Sequence, residues 1–513
     1  MIDVSKLTPQ QVDQFLHLQA LVDRQAADAS KIIAYRAYYS GEHPVLLTDR
    51  QREYLGDLLN PEQFTFSHNL VKRVIDTIRA RLAVTGVTVN GIAPGGADES
   101  PDADWATLLW SWWKAARLDS AQIDLYRRAL RDGYAYIIVD WDNEEQRPRF
   151  ALHKRDDGTT GIMLHYDPED ESRTLFATKY FYSFDPLTPG ATGKERKTVY
   201  MPGEIRKYIR GGADGTWQAY QENGDPSWPL PWVDSAGKPL GCAVIEYPNP
   251  GGSEVDAIIG LQNLLNKSWL DIAAAADTNG FPLLAIEYAG DNFGGATDDA
   301  DLKGADEFRI SPGRAIEVDN ATVKRLESAN LTPMLDTMWT VVQAISGVSD
   351  IPQYYLRPVG GDVPSGEALK QLESGLVARA EERQLVFGQA WEECFKLAVK
   401  LAQTFGNMPP ADKMQIEVVW RDANVRNEQV VAQTAQTHQS LGVPDETIWK
   451  MLGYAPSEIA QWAAIKAAQD AAKLAQVATA LRNSGATGAT NGTNNTVQPA
   501  GDDGDGDNAI NRA

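Results

Sequence analysis

Close to 40 consecutive residues in the second half of this chain carry a helical pattern, and that stretch constrains the fold most. Ser365 stands at a cap position, and the pattern runs from 366 to about 404. Leu369, Leu372, Leu376, Ala380, Phe387, Trp391, Phe395, Ala398 and Phe405 fall on one face. Gly406-Asn407 and Pro409-Pro410 end it. Soluble helices average about 10–14 residues, so this one is unusual.

A second pattern precedes it. Pro248-Asn249-Pro250-Gly251-Gly252 reads as a hinge, and Ser253 with Asp256 as a capping-box-like helix start. The helix is expected to reach about 278, roughly 40 Å at 1.5 Å per residue. Ile258, Leu261, Leu265, Trp269, Ile272 and Ala276 form its narrow, nearly heptad stripe, and Asn279-Gly280 with Pro282 stops it. Residues 281–330 read as a compact insert of β character, with short strands at 283–287, 308–310 and 315–318 and an acidic loop at 298–301. Thr332 and Pro333 open the next helix, through 346. Two helices thus flank a β insert, a hairpin-like excursion that leaves one body and returns. An insert of about 50 residues is too small for a secure core of its own.

The rest reads as a mixed α and β body. Helices are expected at 12–37, with Phe15, Leu18, Leu21 and Val22 on one face, and at 70–83, 104–116 and 120–132. Trp105, Trp112 and Trp113 lie at helical spacing and read as a core face. A strand is expected at 134–141, stopped from the preceding helix by Gly133, and another at 84–89. Residues 150–247 read as all-β, with hairpin turns at Asp157-Gly158, Asp214-Gly215 and Asn223-Gly224. A strand at 414–420 and helices at 424–440, 444–452 and 456–481 close the ordered pattern. The remainder, from 483, is Gly/Thr/Asn-rich and then Asp-rich and reads as disordered.

Composition narrows the function. The 513 residues include 48 Lys and Arg against 70 Asp and Glu, a formal charge of −22. Such a chain does not grip nucleic acid through bulk electrostatics, because phosphate binding needs basic side chains to displace counterions. A polybasic membrane anchor is equally excluded. Two cysteines, Cys242 and Cys394, rule out a disulfide framework and a cysteine-based zinc site. No signal peptide or membrane span is expected, which places folding in a cytoplasm. There is no Walker A pattern, no G-x-S-x-G elbow, no H-E-x-x-H and no ligand spacing among the six histidines. Asp503-Gly504-Asp505-Gly506-Asp507 opens like a calcium loop, but Asn508 replaces the glycine and no twelfth-position glutamate follows. No cofactor, metal or catalytic residue is assigned.

Four short signatures then fall in a telling order. They are Tyr38-Tyr39-Ser40-Gly41-Glu42-His43, His68-Asn69-Leu70-Val71-Lys72 through Asp76, Leu130-Arg131-Asp132-Gly133-Tyr134-Ala135-Tyr136, and Ser365-Gly366-Glu367-Ala368-Leu369-Lys370. Together with the element order they resemble the portal proteins of tailed bacteriophages, specifically the long-tailed siphophage type. The resemblance covers residues 38 to about 470. It implies an α+β portal fold assembling as a ring of about twelve subunits at one capsid vertex. It implies a wing (1–250), a first stem helix (251–280), a clip (281–331), a second stem helix (332–348) and a tunnel loop (349–365). A long wing helix with its following strand (366–420) and a crown (421–482) complete the division, while the disordered acidic tail (483–513) matches no shared element.

The resemblance also implies partners: double-stranded DNA in the channel, the terminase large subunit, major capsid and scaffolding proteins, and a head-tail adaptor protein, with no membrane. Tyr354, Tyr355 and Arg357 are the channel-loop candidates. Lys303, Arg309 and Arg314 are the clip contact candidates, and Lys267 the stem candidate, with Asp271 four residues on as its rival partner. Two other classes compete with a non-enzymatic channel. One is a polysaccharide-active enzyme or carbohydrate-binding protein using the Trp-rich segments and carboxylates; the other is a minor head protein.

Overall fold

A computed structural model describes residues 8–26, 29–44, 49, 68–94, 100–183, 193–210, 216–222, 224–280, 284–288, 321–325, 330–356, 366–406, 408–409, 414–424, 428–454 and 456–486. In chain order, helices α1 (Pro9–Ala26), α2 (Ala29–Ser40) and α3 (Leu70–Arg79) lead to strand β1 (Val84–Val89). Helices α4 (Pro101–Ala115) and α5 (Leu118–Asp132) precede β2 (Tyr134–Asp142), β3 (Arg147–Lys154), β4 (Gly161–Asp167) and β5 (Asp170–Ser183). Next come β6 (Lys194–Tyr200), β7 (Glu204–Arg210), β8 (Trp217–Ala219), β9 (Leu230–Pro231) and β10 (Val244–Pro248). Helix α6 (Ile259–Gly280), strands β11 (Leu284–Tyr288) and β12 (Ala321–Arg325), and helix α7 (Thr332–Ser349) form the excursion. A short turn α8 (Gln353–Leu356), the long α9 (Gly366–Phe405), β13 (Ile416–Trp420), α10 (Glu428–Ser440), α11 (Asp445–Leu452) and α12 (Pro456–Ala486) follow.

The body is built around the antiparallel sheet β10-β2-β3. Its central strand carries Ala135, Ile137, Ile138 and Val139, all buried, and Ile137 pairs with Leu152 on one side and Ile245 on the other. Apolar side chains on both faces are the pattern of a strand covered on both sides. Helices α5 and α9 pack on this sheet. The contact is aromatic: Tyr126 stacks on Phe387 at 5.4 Å between centroids, Trp391 lies 4.8 Å from Trp113, and Trp391 Nε1 donates to Tyr126 Oη. Trp105, Trp112 and Trp113 are buried here, as their helical spacing predicts.

Strands β1 and β13 join as an antiparallel ribbon although more than 300 residues separate them. The expected strand at 414–420 thus finds its partner in the strand at 84–89, with Val87 opposite Val418. The second sheet runs β4-β5-β6-β7-β8, with β9 also on β7.

Four expectations need correction. Asp157-Gly158 is not a hairpin, because β3 pairs with β2 and β4 with β5, and the hairpin expected at Asn223-Gly224 fails likewise, because β8 and β9 both pair with β7 rather than with each other. The Asp157-Gly158 turn instead carries the chain from one sheet to the other. Asp157 Oδ1 accepts from the amides of Thr159 and Thr160, and Gly161 follows at φ +133°. A Cβ there would lie 2.6 Å from the Arg155 carbonyl oxygen, so the crossing needs glycine.

The single helix expected at 12–37 is two, because α1 lies on the second sheet while α2 packs on α3 and α5. Its buried face also differs. Val12, Leu16 and Ala20 face the sheet, while Leu18, Leu21 and Val22 are exposed. An ion pair of Asp13 with Arg206 and a hydrogen bond between Asp23 and His165 set the rotation, rather than the most apolar stripe.

The fourth correction concerns residues 253–258, which are turns; the helix begins only at Ile259. Ser253 Oγ does accept the Val255 amide at 3.1 Å, but the hydroxyl is also drawn to the Arg131 carbonyl. The helix is therefore roughly 33 Å long rather than roughly 40 Å.

Candidate functional site

The excursion α6–β11–β12–α7 is the part of the molecule that leaves the body, so its root decides how it is held. β11 and β12 pair antiparallel, with Ile286 opposite Val323. α6 and α7 pack against each other. The start of α6 and the turn α8 after α7 both lie on α3, so the two helices run in opposite directions from one foundation.

Polar side chains fix the first turns of α6. Tyr38 Oη donates to Asn263 Oδ1 at 2.5 Å. His43 Nε2 lies 2.8 Å from the Tyr38 carbonyl, which only accepts, so Nε2 carries the proton. Nδ1 is then free to accept from Asn266 Nδ2 at 2.9 Å. Buried Gln262 accepts the Leu70 amide at 3.0 Å and donates to the His68 carbonyl at 2.8 Å. Trp269 Nε1 donates to His68 Nδ1. Burial lowers the pKa of both His43 and His68, which favours the neutral rings these bonds require. Asn69 caps α3 through the Lys72 amide and donates to the Tyr39 carbonyl.

The hinge before α6 is gripped from two sides. From below, the Asn249 amide donates to the Gly133 carbonyl and the Glu254 amide to the Leu130 carbonyl. Gly133, at φ +82°, ends α5 in a left-handed cap, and a Cβ there would meet Ser253 N at 3.3 Å. From the side, Glu254 is buried and meets two arginines of α9. Its Oε1 accepts from Arg383 Nη2 at 2.5 Å and from Asn249 Nδ2 at 3.0 Å, and its Oε2 accepts from Arg379 Nη2 at 2.7 Å. Arg379 Nη1 also reaches Asp350 Oδ2, at the end of α7, at 3.2 Å. One guanidinium therefore ties both ends of the excursion to the long helix.

A second carboxylate, this one on α9, holds the turn after α7. Glu373 Oε1 accepts from Tyr354 Oη and from Tyr355 Oη, the latter at 2.9 Å. Arg81 Nη2 lies 3.3 Å from Glu373 Oε2 and donates to Tyr355 Oη at 2.7 Å. Arg73 Nε donates to the Tyr355 carbonyl at 3.0 Å. Burial, then the Glu373 hydrogen bond, pushes the Tyr354 hydroxyl well above its ordinary pKa.

Three of the four signatures thus converge on one place, and α9, which the fourth opens, supplies the charges that close it. Of the candidates, Tyr354 and Tyr355 are half-buried and engaged with Glu373. Lys267 donates to Asp271 Oδ2 at 2.6 Å, the intrahelical pair its spacing allows. Arg357, Lys303, Arg309, Arg314, the expected strands 308–310 and 315–318, and residues 487–513 with their Asp-Gly run lie outside the described residues, while 483–486, expected to be disordered, continue helix α12. Among the described residues no group of His, Cys, Asp and Glu is placed to hold a metal, and no helix is long and apolar enough to cross a membrane.

Sequence reasoning missed Glu254, Glu373, Arg379 and Arg383. A signal was present for two of them. Glu373 and Arg383 fall on the apolar stripe of α9, between Leu376, Ala380 and Phe387, where a charge stays only if paired. Leu372, placed on that stripe by its spacing, is 52% exposed, because Glu373 is turned inward instead.

Comparison with known proteins gives the class. The chain belongs to the phage portal protein family: the family model described as "Phage portal protein, SPP1 Gp6-like" matches residues 18–472. It is a virion structural protein of a phage with the α+β portal fold. It is 28% identical over 415 residues to the portal protein of Mycobacterium phage D29, covering 75% of each chain. It is 26% identical over 464 residues to the portal protein of Mycobacterium phage L5, covering 84% of each. Among solved structures, the neck of an empty GTA particle matches 72% of this chain and 84% of that chain at 9% identity and a TM-score of 0.37. An HK97 family phage portal protein from Corynebacterium diphtheriae matches 61% and 84% at 12% identity and a TM-score of 0.28. At those scores the structural matches carry no weight; the assignment rests on sequence. Trp105, Trp112 and Trp113, the helical stripe on which a glycan reading would draw, are buried.

Proposed function

We propose that this portal protein forms a ring of about twelve copies around a central channel at one capsid vertex, through which double-stranded DNA is packaged and ejected. The observation that carries the reading is the excursion itself. Paired helices α6 and α7 leave the body from one polar root, with the β11–β12 ribbon beyond them. In a ring, such helices stand side by side as a wall, and narrow apolar stripes suit packing against neighbours.

The channel has no need to grip. Lys267 is neutralised by Asp271, and a chain at −22 repels a duplex rather than holding it. That suits a conduit, where tight binding stalls movement. In this reading Tyr354 and Tyr355 anchor the base of the tunnel loop on Glu373, and Arg357 is the loop's phosphate contact. Lys303, Arg309 and Arg314 form the clip surface that receives the terminase large subunit and then the head-tail adaptor protein. Major capsid and scaffolding proteins surround the wing. The ring is assembled in the host cytoplasm and functions in the virion. DNA movement is driven by the terminase, and the portal itself catalyses nothing.

Native mass spectrometry and negative-stain imaging of the purified full chain test this. A ring of about twelve subunits with a central hole is expected. A stable monomer at high concentration overturns the reading.

A further inference from the structure

Two surfaces near the C-terminal end of the described chain match in shape and oppose in charge. The first is a groove of about 1110 Å³ between the β1–β13 ribbon and helices α11 and α12. Ile92, Val419 and Trp420 line it on the ribbon side, and Ala460, Ala463 and Ala464 on the helix side. Small side chains there let another backbone come close. The volume corresponds to about two and a half turns of a helix 10 Å across. Glu417, Asp422 and Glu446 also line it against one cation, Lys450, so the groove is acidic.

The second surface is the far part of α12. Every side chain described from 465 to 480 is exposed. Leu474 is 70% and Val477 56% exposed, and their i, i+3 spacing puts them on one face. From 465 to 486 the helix carries Lys466, Lys473 and Arg482 against one acid, Asp470, whose Oδ1 lies 3.6 Å from Lys473 Nζ, so this end is net basic. A helix standing this far from its body gains nothing from packing, and packing supplies most helical stability in proteins.

The two surfaces cannot meet within one copy. Ala467 still lines the groove, and Leu474 is seven residues further along the same helix, roughly 10 Å up its axis. A continuous helix does not fold back on itself, so the occupant must come from elsewhere.

We propose that the exposed end of α12 of one copy docks in the groove of the next, Leu474 and Val477 on the alanine and Trp420 floor and Lys473 toward the acidic residues. Donor and acceptor are different surfaces, so the contact is head-to-tail, the kind that closes into rings. It rests on the ring reading only in needing a second copy, and it names the surface, the charges and the direction of the contact.

Cysteine cross-linking of the full chain tests it, in a Cys242→Ser background that leaves buried Cys394 in place. Four double variants combine Leu474→Cys or Val477→Cys with Ala460→Cys or Ala464→Cys. At least one is expected to give an intermolecular ladder on oxidation that no single variant gives. Adding Glu446→Lys to that variant is expected to lower cross-linking about fivefold, and further adding Lys473→Glu to restore it. Rings by native mass with no ladder from any pair overturn the docking while the portal reading stands. A disulfide within one chain overturns it as well. Monomers without any ladder overturn both.

Discussion

The two sheets of the body are held by different physics. The β10-β2-β3 sheet is gripped by α5 and α9 through Tyr126, Phe387, Trp391 and Phe395, all fully buried. The second sheet is covered by α1 through a small apolar cluster of Val12, Leu16, Ala20, Phe176, Val199 and Tyr208, ringed by charge. Asp13 pairs with Arg206 and accepts from Tyr208 Oη; Asp23 pairs with His165; Arg24 pairs with Asp156 and lies 3.9 Å over the Tyr180 ring. Lys197 is 2% exposed and bonds to His17. Burial, then the nearby Arg24 charge, lowers the Lys197 ammonium to about 7. Apolar contact neither titrates nor is screened by salt, whereas an interface of charged and titrating pairs is sensitive to both. The first sheet is therefore the permanent part of the molecule and α1 the conditional one.

The largest effect is expected in the first sheet. Trp391→Ala removes a fully buried ring that touches Trp113, Tyr247 and Tyr126, and should cost about 3–5 kcal/mol in denaturant unfolding. A cost below about 1 kcal/mol would mean the sheet is not the main core. Next comes the root. Glu254→Leu strands Arg383 in a buried place and should cost about 3 kcal/mol, the low end for a broken buried pair, because Asp350 and Glu382 stay beside the two arginines. Pairing it with Arg383→Met should recover most of the loss; no recovery would show that the charge pair is not what binds the hinge.

The pH dependence sharpens the comparison further. Burial, then Lys197 beside it, lowers the His17 imidazole from 6.5 to about 4. Between those values the unfolded chain binds a proton that docked α1 does not. His17 therefore contributes fully above pH 6.5, and its contribution is lost as pH falls through 4. His165 shifts in the same direction, with burial the first cause. Hydrogen exchange, corrected for intrinsic rates, should show α1 losing protection in that window while α9 keeps it. Simultaneous loss in both would erase the distinction between the sheets. The smallest effect is Tyr355→Phe, about 1 kcal/mol for the hydroxyl that links Arg81 to Glu373, read as a fall in Tm.

What was legible in the sequence follows the same divide. Helix α9 ends within one residue of its expected limit, and α3 buries Val71, Val74, Ile75 and Ile78 as their spacing requires. Apolar periodicity and burial coincide along α3 and, in α9, from Leu376 to Ala398, while Leu372 and Phe405 at the ends of that stripe are exposed. Helix α1 departs from its apolar stripe because its orientation is set by Asp13 meeting Arg206 and Asp23 meeting His165, on strands that lie more than 140 residues away. Residue spacing along a helix says nothing about partners of that kind. The Asp157-Gly158 turn failed for a related reason: its chemistry is local, but which strands it joins depends on sheet pairing elsewhere. The site was half legible. The signatures marked the right segments, and Tyr38, His43, His68 and Gly133 all prove to touch the root. That they meet one another, and that Glu254 closes the assembly, needed three dimensions.

The Arg379 bridge has a mechanical reading. Glu254 stands before one helix of the excursion and Asp350 after the other, and both hold the same guanidinium. The excursion is thus a fork with one handle. Tension on either tine loads a single charge cluster, and the 40-residue helix behind it serves as the beam that spreads the load into the body.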